Sequence, residues 1–226
     1  MSRSVLLCGA TGLVGGECLR LLLRDPSFSR IVTVTRRPLG RVGADAGDPV
    51  KIEERVVDFE RLDRDLKGVE VDEVICALGT TRRAAGSRSR FREVDLGYPL
   101  QIARIASAGG SRHFLLVSAV GADPRSRFLY NRVKGELESA VSSLPFRSVT
   151  IVRPSLLLGE REVPRLGERI AARLAFLAPA SLRPVKAADV AAALLHEASQ
   201  DRVGQRVIAS PQIPVLADLY RASAKS

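Results

Sequence analysis

Hydrophobic and polar positions follow two alternating patterns over the first 118 residues. Short, nearly continuous apolar runs are typical of strands that are buried on both faces of a parallel sheet. Between them lie stretches with apolar residues at helical spacing. The runs predict strands at residues 5–8, 30–35, 73–78, 113–118 and 148–153, another that ends near 56–59, and a short one near 206–209. This alternation predicts an α/β fold: a doubly wound parallel sheet, or Rossmann fold, with helices on both faces.

The helical stretches show where the predicted helices end. The first helix follows the strand at 5–8, and Pro26 marks its end because the residue before a proline avoids helical geometry. A second helix, at 91–108, is closed by two glycines. Further helical stretches at about 170–177 and 190–198 precede the last strand.

A glycine-rich turn joins the first strand to the first helix. Glycine there lets backbone N–H groups and the positive end of the helix approach a pyrophosphate, which larger side chains would keep at a distance. Glycines also mark other strand-to-helix turns, so the motif alone leaves dinucleotide binding open. The predicted contacts are Gly9, Thr11, Gly12, Leu13, Val14 and Gly15.

The end of the second strand indicates which dinucleotide would bind. An acidic residue there suits the ribose 2′-hydroxyl of NAD, whereas arginine accommodates the 2′-phosphate of NADP. This chain has Thr35, Arg36 and Arg37 there and no carboxylate, which predicts NADP in preference to NAD. The alternative is that both arginines simply face solvent. Asp58 and Phe59, which follow the third strand, are expected to border the adenine.

A small polar turn follows the fourth strand, at the edge where open parallel sheets bind ligands. Its predicted cofactor contacts are Leu78, Gly79, Thr80 and Thr81. Five arginines crowd residues 82–92 directly after it. They offer a site for an anionic substrate or a cofactor phosphate, but basic loops are usually just solvated, and that interpretation is favoured.

Three polar residues define a candidate catalytic group. Ser118 ends the predicted fifth strand, and Tyr130 and Lys134 are one helical turn apart on the following helix. A phenol has an ordinary pKa of about 10, and a neighbouring ammonium favours the phenolate. In hydride transfer to a carbonyl, Tyr130 would donate the proton, Ser118 would bond the oxyanion and Lys134 would also hold the nicotinamide ribose. Such a tyrosine–lysine spacing also arises by chance, but its position after the fifth strand favours catalysis.

Taken together, the motifs resemble the atypical or extended short-chain dehydrogenases/reductases, and within them the Tat-interacting oxidoreductase-like proteins and their bacterial relatives. The resemblance covers most of the chain. The segments that carry it are GATGLVGG (9–16), TRR (35–37), ALGTTRRAAGS (77–87), FREVD (91–95), HFLLVSAVGAD (113–123), FLYNRVKGELE (128–138) and RPSLLLGER (153–161).

The resemblance implies an NADP-binding Rossmann fold with the same serine–tyrosine–lysine triad. It also implies cofactor contacts from the glycine turn, from Arg36 and Arg37, from residues 79–81, and from Arg153 and Pro154 in a loop over the nicotinamide end. One feature departs from the family pattern. The helix at 91–108 contains no Asn of the kind that many relatives use as a fourth catalytic residue.

Length and composition narrow the function classes. A chain of 226 residues, 46% of them hydrophobic, predicts a single domain over 1–226, with substrate-wall elements mainly in 154–226. That wall is rich in Ala, Leu and Pro, which favours a small or apolar carbonyl substrate. No apolar run approaches the roughly 18 residues of a membrane span, and the N-terminus lacks a secretion signal, so a cytoplasmic location is expected.

Charge and ligand-forming residues exclude other classes. The net charge of +10 raises nucleic acid as a partner, but the arginines are scattered and lack interleaved aromatic residues, so none is predicted. Three cysteines without CxxC spacing argue against a disulfide framework. The two histidines have no ligand cluster near them, so no metal is predicted.

The sequence therefore predicts an NADP-dependent oxidoreductase that acts on a small carbonyl or alcohol, with a homodimer as the candidate assembly. Two alternatives stay open. One is a regulatory or scaffold protein that binds NADP without significant turnover. The other is an epimerase or dehydratase that uses a bound cofactor transiently, because the same triad permits that chemistry.

Overall fold

The computed structural model describes residues 2–40, 51–158 and 183–223. The strands in these ranges are β1 (Arg3–Cys8), β2 (Phe28–Thr35), β3 (Ile52–Val56), β4 (Glu73–Cys76), β5 (His113–Val117), β6 (Ser148–Arg153), β7 (Leu157–Leu158), β8 (Val185–Lys186) and β9 (Gly204–Ala209). Seven of them form a parallel sheet in the order β3-β2-β1-β4-β5-β6-β9, and β7 pairs with β8 separately. The strand order reverses direction between β1 and β4, which is where such sheets bind ligands.

Helices cover both faces of this sheet. They are α1 (Leu13–Arg24), α2 (Leu62–Asp65), α3 (Arg82–Ala85), α4 (Arg88–Arg92), α5 (Tyr98–Ala108), α6 (Leu129–Ser142), α7 (Ala187–Ala198) and α8 (Ile213–Ser223), with a π-helical turn (Glu93–Gly97) between α4 and α5. Helices α1, α7 and α8 pack on one face, and α2, α5 and α6 pack on the other.

The strands show why both faces are covered. In β1, Val5 and Leu7 point into the core beneath α1, whereas Leu6 and Cys8 point into the core beneath α5. A strand with apolar residues in successive positions must bury both sides, and a sheet of such strands needs helices on each. The predicted doubly wound α/β fold is confirmed.

The element boundaries follow the apolar pattern closely, with local differences. Strand β6 has the predicted bounds, β2 begins two residues earlier at Phe28, and β4 ends at Cys76, where the chain turns at the sheet edge. The helix predicted at 91–108 is interrupted by the π-helical turn. The stretch predicted at 170–177, and with it much of the expected substrate wall, lies outside the described residues.

Candidate functional site

The glycine turn brings the start of α1 against β1 and β4. Gly9 has φ +90, and a Cβ there would lie 2.7 Å from the carbonyl oxygen of Ala77. A Cβ on Gly15 would lie 2.0 Å from the carbonyl oxygen of Gly9, so both positions require glycine. Gly12 is the N-cap of α1 and provides no side-chain cap. The N–H groups of the first helical turn are therefore available to an anionic ligand.

A cavity of about 370 Å³ opens beside this turn. Its lining residues are Gly9, Thr11, Gly12, Val34, Thr35, Arg36, Phe59, Ala77, Leu78, Gly79, Thr80, Ala84, Ala85, Arg90, Val94 and Tyr98. A neighbouring cavity is lined by Thr11, Arg36, Arg37 and Pro38. Among the described residues, neither lining contains a carboxylate, so this end of the groove presents arginines at the end of β2.

Aromatic rings form one wall of the first cavity. The rings of Phe59 and Tyr98 are 5.0 Å apart between centroids, and Arg90 donates a hydrogen bond of 2.7 Å to the Tyr98 hydroxyl. Asp58, also predicted to border the adenine, is not among the lining residues. Its carboxylate accepts a hydrogen bond from the backbone of Glu60 instead.

A second cavity, of about 350 Å³, contains the predicted catalytic group. Ser118, just after β5, and Tyr130 and Lys134 on α6 all line it. Its other lining residues are Gly12, Leu13, Val14, Ala77, Leu78, Gly79, Thr80, Thr81, Ala84, Asp95, Val117 and Leu157. This cavity and the first cavity, beside the glycine turn, share Gly12 and the turn after β4, so they form one groove along the carboxyl edge of the sheet.

The three side chains differ in exposure. The Ser118 hydroxyl oxygen is buried and, among the described residues, has no hydrogen-bond partner. Tyr130 is 37% exposed, and its ring centroid lies 5.9 Å from that of Phe91. Lys134 is buried beneath the groove. A buried hydroxyl without a partner is costly, so this hydroxyl is available for a hydrogen bond with a water or ligand in the cavity.

Asp95 is the residue that sequence reasoning missed. It lies on the π-helical turn and is fully buried. One carboxylate oxygen is 2.8 Å from the Lys134 ammonium, and the other accepts a 2.8 Å hydrogen bond from the backbone N–H of Thr80. Burial lowers the pKa of Lys134, but the Asp95 carboxylate, together with Tyr130 and Cys76, raises it by more, so that the lysine pKa is raised overall. The sequence prediction considered only Asn in this helix, whereas the residue that lines the cavity is an Asp.

Two residues predicted in the nicotinamide loop have other partners. The guanidinium of Arg153, at the end of β6, forms a bidentate ion pair with the Glu138 carboxylate on α6. The carbonyl oxygen of Pro154 accepts a 2.9 Å hydrogen bond from Val120. Neither residue is among those that line the two cavities.

The arginine-rich segment 82–92 borders the groove through Ala84, Ala85 and Arg90. Ala84 lines both cavities, while Arg82, Arg83 and Arg88 are solvent-exposed. In the described ranges no three potential metal ligands come together, and no helix is long and apolar enough to cross a membrane.

The fold and groove define an NAD(P)-binding, Rossmann-like protein. Residues 9–201 match the family described as NAD(P)H-binding, and the chain belongs to that family. This confirms the resemblance seen in the motifs.

Curated relatives support the same assignment. Protein HTATIP2 of Rattus norvegicus is 42% identical over 171 residues, which cover 75% of this chain and 69% of that protein. Protein FMP52, mitochondrial, of Lodderomyces elongisporus is 36% identical over 200 residues, with 84% of each chain covered.

Solved structures with lower identity share the fold. MoeE5 in complex with UDP-glucose and NAD has a TM-score of 0.69 at 18% identity, covering 96% of this chain and 81% of that one. UDP-glucose 4-epimerase from Thermotoga maritima has a TM-score of 0.67 at 14% identity, covering 98% and 82%.

Proposed function

We propose that this protein is an NADP-dependent oxidoreductase that transfers hydride between the nicotinamide and a small carbonyl or alcohol. The observation that carries the proposal is the convergence of Ser118, Tyr130 and Lys134 on one cavity that adjoins the glycine turn. The unpartnered Ser118 hydroxyl supports it, because a substrate oxygen would satisfy that buried group. The apolar side chains of Val117 and Leu157 in the same lining favour a small or apolar substrate.

The three residues have distinct proposed roles. A nicotinamide cofactor supplies hydride chemistry when bound. Tyr130, which reaches solvent, donates a proton to the carbonyl oxygen, and Ser118 donates a hydrogen bond to the same oxygen as negative charge develops. Lys134 contributes positive charge beneath Tyr130 and a hydrogen-bond donor for the ribose hydroxyls. The convergence of these groups at one end of the groove supports the assignment.

Turnover of a carbonyl panel with NADPH tests these roles. Tyr130→Phe should lower kcat by about 100-fold or more because the proton donor is lost, while NADPH still binds. Ser118→Ala should also lower kcat. Tyr220→Phe is the matched control, because Tyr220 lies on α8 beside Asp25, outside the groove, and should leave turnover unchanged. Full turnover by Tyr130→Phe would rule out the assigned proton donor.

The preference for NADP rests on Arg36 and Arg37. Both are exposed and line the cavity beyond the adenosine end of the groove. A guanidinium binds a phosphate through charge-assisted hydrogen bonds, which the free ribose hydroxyl of NAD does not offer. The lack of a carboxylate in the described lining supports the same preference.

Comparing NADPH with NADH isolates this contribution. The double variant Arg36→Ala, Arg37→Ala should weaken NADPH binding by about 10- to 100-fold and leave NADH binding within about twofold. The control is Arg104→Ala with Arg202→Ala, which removes the same charge from exposed positions. These positions line neither the cavity beside the glycine turn nor the cavity that Arg36 and Arg37 line. Equal weakening of both dinucleotides by the first pair would show that the arginines do not read the 2′-phosphate.

An epimerase-type reaction is the second candidate. Solved structures that share this fold include UDP-glucose 4-epimerase. The proposed triad would also permit a reaction in which a bound cofactor is first reduced and then regenerated. The stoichiometry of NADPH distinguishes the two candidates. Net NADPH consumption with each turnover supports the oxidoreductase, whereas product formation without net consumption supports the epimerase.

The cellular location is also a proposal. We propose a cytoplasmic location, consistent with the lack of a spanning helix in the described ranges. The FMP52 relatives are named mitochondrial, so cell fractionation with antibody detection is the relevant test. Recovery in a membrane-bounded organelle would overturn the proposal.

A further inference from the structure

One carboxylate joins the lysine of the proposed triad to the turn after β4. Asp95 meets the Lys134 ammonium with one oxygen and the Thr80 backbone N–H with the other, each at 2.8 Å. Gly79 completes this arrangement, since a Cβ there would lie 3.3 Å from the carboxylate and 3.4 Å from the ammonium. The Asp95 side chain therefore connects the π-helical turn, on which it lies, to α6 and to the turn after β4.

Because both side chains are buried, the loss of either charge would strongly affect the other. The side chains of Asp95 and Lys134 are 0% and 4% exposed. A buried charge is tolerated when an opposite charge and hydrogen bonds compensate it, and removing one partner leaves the other uncompensated. Lys134 would then lose its proton more readily, because burial favours the neutral amine.

The other groups that face Lys134 do not replace Asp95. Cys76 on β4 and Tyr130 on α6 are the further titratable groups that interact with it. Burial raises the pKa of Cys76 to about 11, so this thiol is neutral at physiological pH. The Asp95 carboxylate lies within ion-pair distance of the Lys134 ammonium, at 2.8 Å. Asp95 is therefore the negative charge that balances the ammonium.

We propose that Asp95 is a positioning residue: it holds Lys134 charged beneath the cavity and fixes the Gly79–Thr80 turn, so that the ammonium and the cofactor-binding turn are set together. The part that concerns the dinucleotide rests on the proposed function. The part that concerns the charge of Lys134 does not, and it is tested without any ligand.

Thermal unfolding as a function of pH tests the charge of Lys134. Asp95→Asn keeps the shape and an oxygen for Thr80 but removes the charge, and Asp95→Asn with Lys134→Met removes both charges. In the single variant the folded protein holds fewer protons on Lys134 than the unfolded chain, so its stability rises with pH. At about pH 7 the Tm of the single variant should lie below that of the double variant. This difference in Tm should shrink by about 5 °C as the pH rises to about 10.

The difference in Tm between the single and the double variant, measured across pH, decides the proposal. A gap that closes with rising pH supports the proposal, as does a single variant that is unfolded at neutral pH while the double variant folds. A gap that does not change with pH overturns it, because Lys134 would then be insensitive to Asp95. A double variant that is no more stable than the single variant at neutral pH overturns it as well.

NADPH affinity as a function of pH tests the connection to the cofactor. In the wild type Lys134 stays charged, so the Kd should change by less than about twofold between about pH 7 and about pH 9. In Asp95→Asn it should rise about tenfold over that range, and the double variant should be flat again. A flat profile for Asp95→Asn overturns the connection. If the wild type does not bind NADPH at all, the proposed function fails while the unfolding comparison still decides the role of Asp95.

Discussion

Gly15 and Gly16 are neighbours at the start of α1 that differ in their tolerance of a side chain. A Cβ on Gly15 would lie 2.0 Å from the carbonyl oxygen of Gly9, which belongs to the backbone and cannot move aside. A Cβ on Gly16 would meet its nearest atom, the carbonyl oxygen of Ala10, at an ordinary 3.5 Å. The difference follows from close packing of the helix on the turn that would bind the pyrophosphate.

Alanine at each position should separate the two. Gly15→Ala should destabilise the fold by about 1–3 kcal/mol and weaken NADPH binding, because α1 must move away from β1. Gly16→Ala should stabilise it by up to about 1 kcal/mol through its helix propensity and leave binding unchanged. Urea unfolding and NADPH titration of both variants measure this. Equal stability of the two variants would contradict the close approach.

At the scale of elements, the ion pair between Arg153 and Glu138 joins β6 to α6. Glu138 is 5% exposed, so its carboxylate depends on the guanidinium for compensation. This pair fixes the helix that carries Tyr130 and Lys134 against the sheet. Arg153 was predicted as a cofactor contact, whereas the structure gives it a role in packing these two elements.

Replacing Arg153 tests that role. Arg153→Met should cost about 3 kcal/mol of unfolding free energy, because it leaves a buried carboxylate unpaired, and should leave the NADPH Kd of the folded protein unchanged. Arg147→Met is the control, since its partner Asp201 is exposed and the surface pair should contribute less than about 1 kcal/mol. A large loss of NADPH affinity in Arg153→Met would instead support direct contact.

The elements also show what sequence can and cannot predict. The strands were predictable because buried parallel strands are continuously apolar, and Ser118, Tyr130 and Lys134 were predicted to meet because strand ends and helix faces have fixed geometry. The π-helical turn was not predictable, because the apolar positions in so short a segment do not show which turn of a helix holds an extra residue. Asp95 was missed because only an Asn was expected at a fourth catalytic position in this helix. The partner of Arg153 was missed because it depends on how α6 packs on β6.

At the scale of the whole molecule, two buried groups at the opposite edge of the sheet respond to pH in opposite directions. Burial raises the pKa of Glu73 to about 7, although Arg3 opposes the shift. Burial, assisted by Arg3, lowers the pKa of His113 to about 4. As pH rises from 4.5 to 6.5, Glu73 removes stability because its charged form is disfavoured in the fold. Over the same range His113 restores stability because its neutral form is favoured.

Single substitutions should reveal these opposing contributions. The two nearly cancel in the wild type, so its stability should change little between about pH 4.5 and about pH 6.5. Glu73→Gln should gain about 2 kcal/mol of unfolding free energy across that range, and His113→Asn should lose about as much. Urea unfolding at several pH values gives the slopes. Parallel slopes for the two variants would contradict the opposite shifts.

We propose that the groove along the carboxyl edge of the sheet binds a reduced dinucleotide, with NADPH preferred. Fluorescence titration of the wild-type protein with NADPH and NADH is the most direct measurement, and the chain contains no Trp to interfere with the nicotinamide signal. We expect one saturable site per chain, with NADPH bound about tenfold or more tightly than NADH. Absence of saturable binding of either dinucleotide by the folded protein would contradict it.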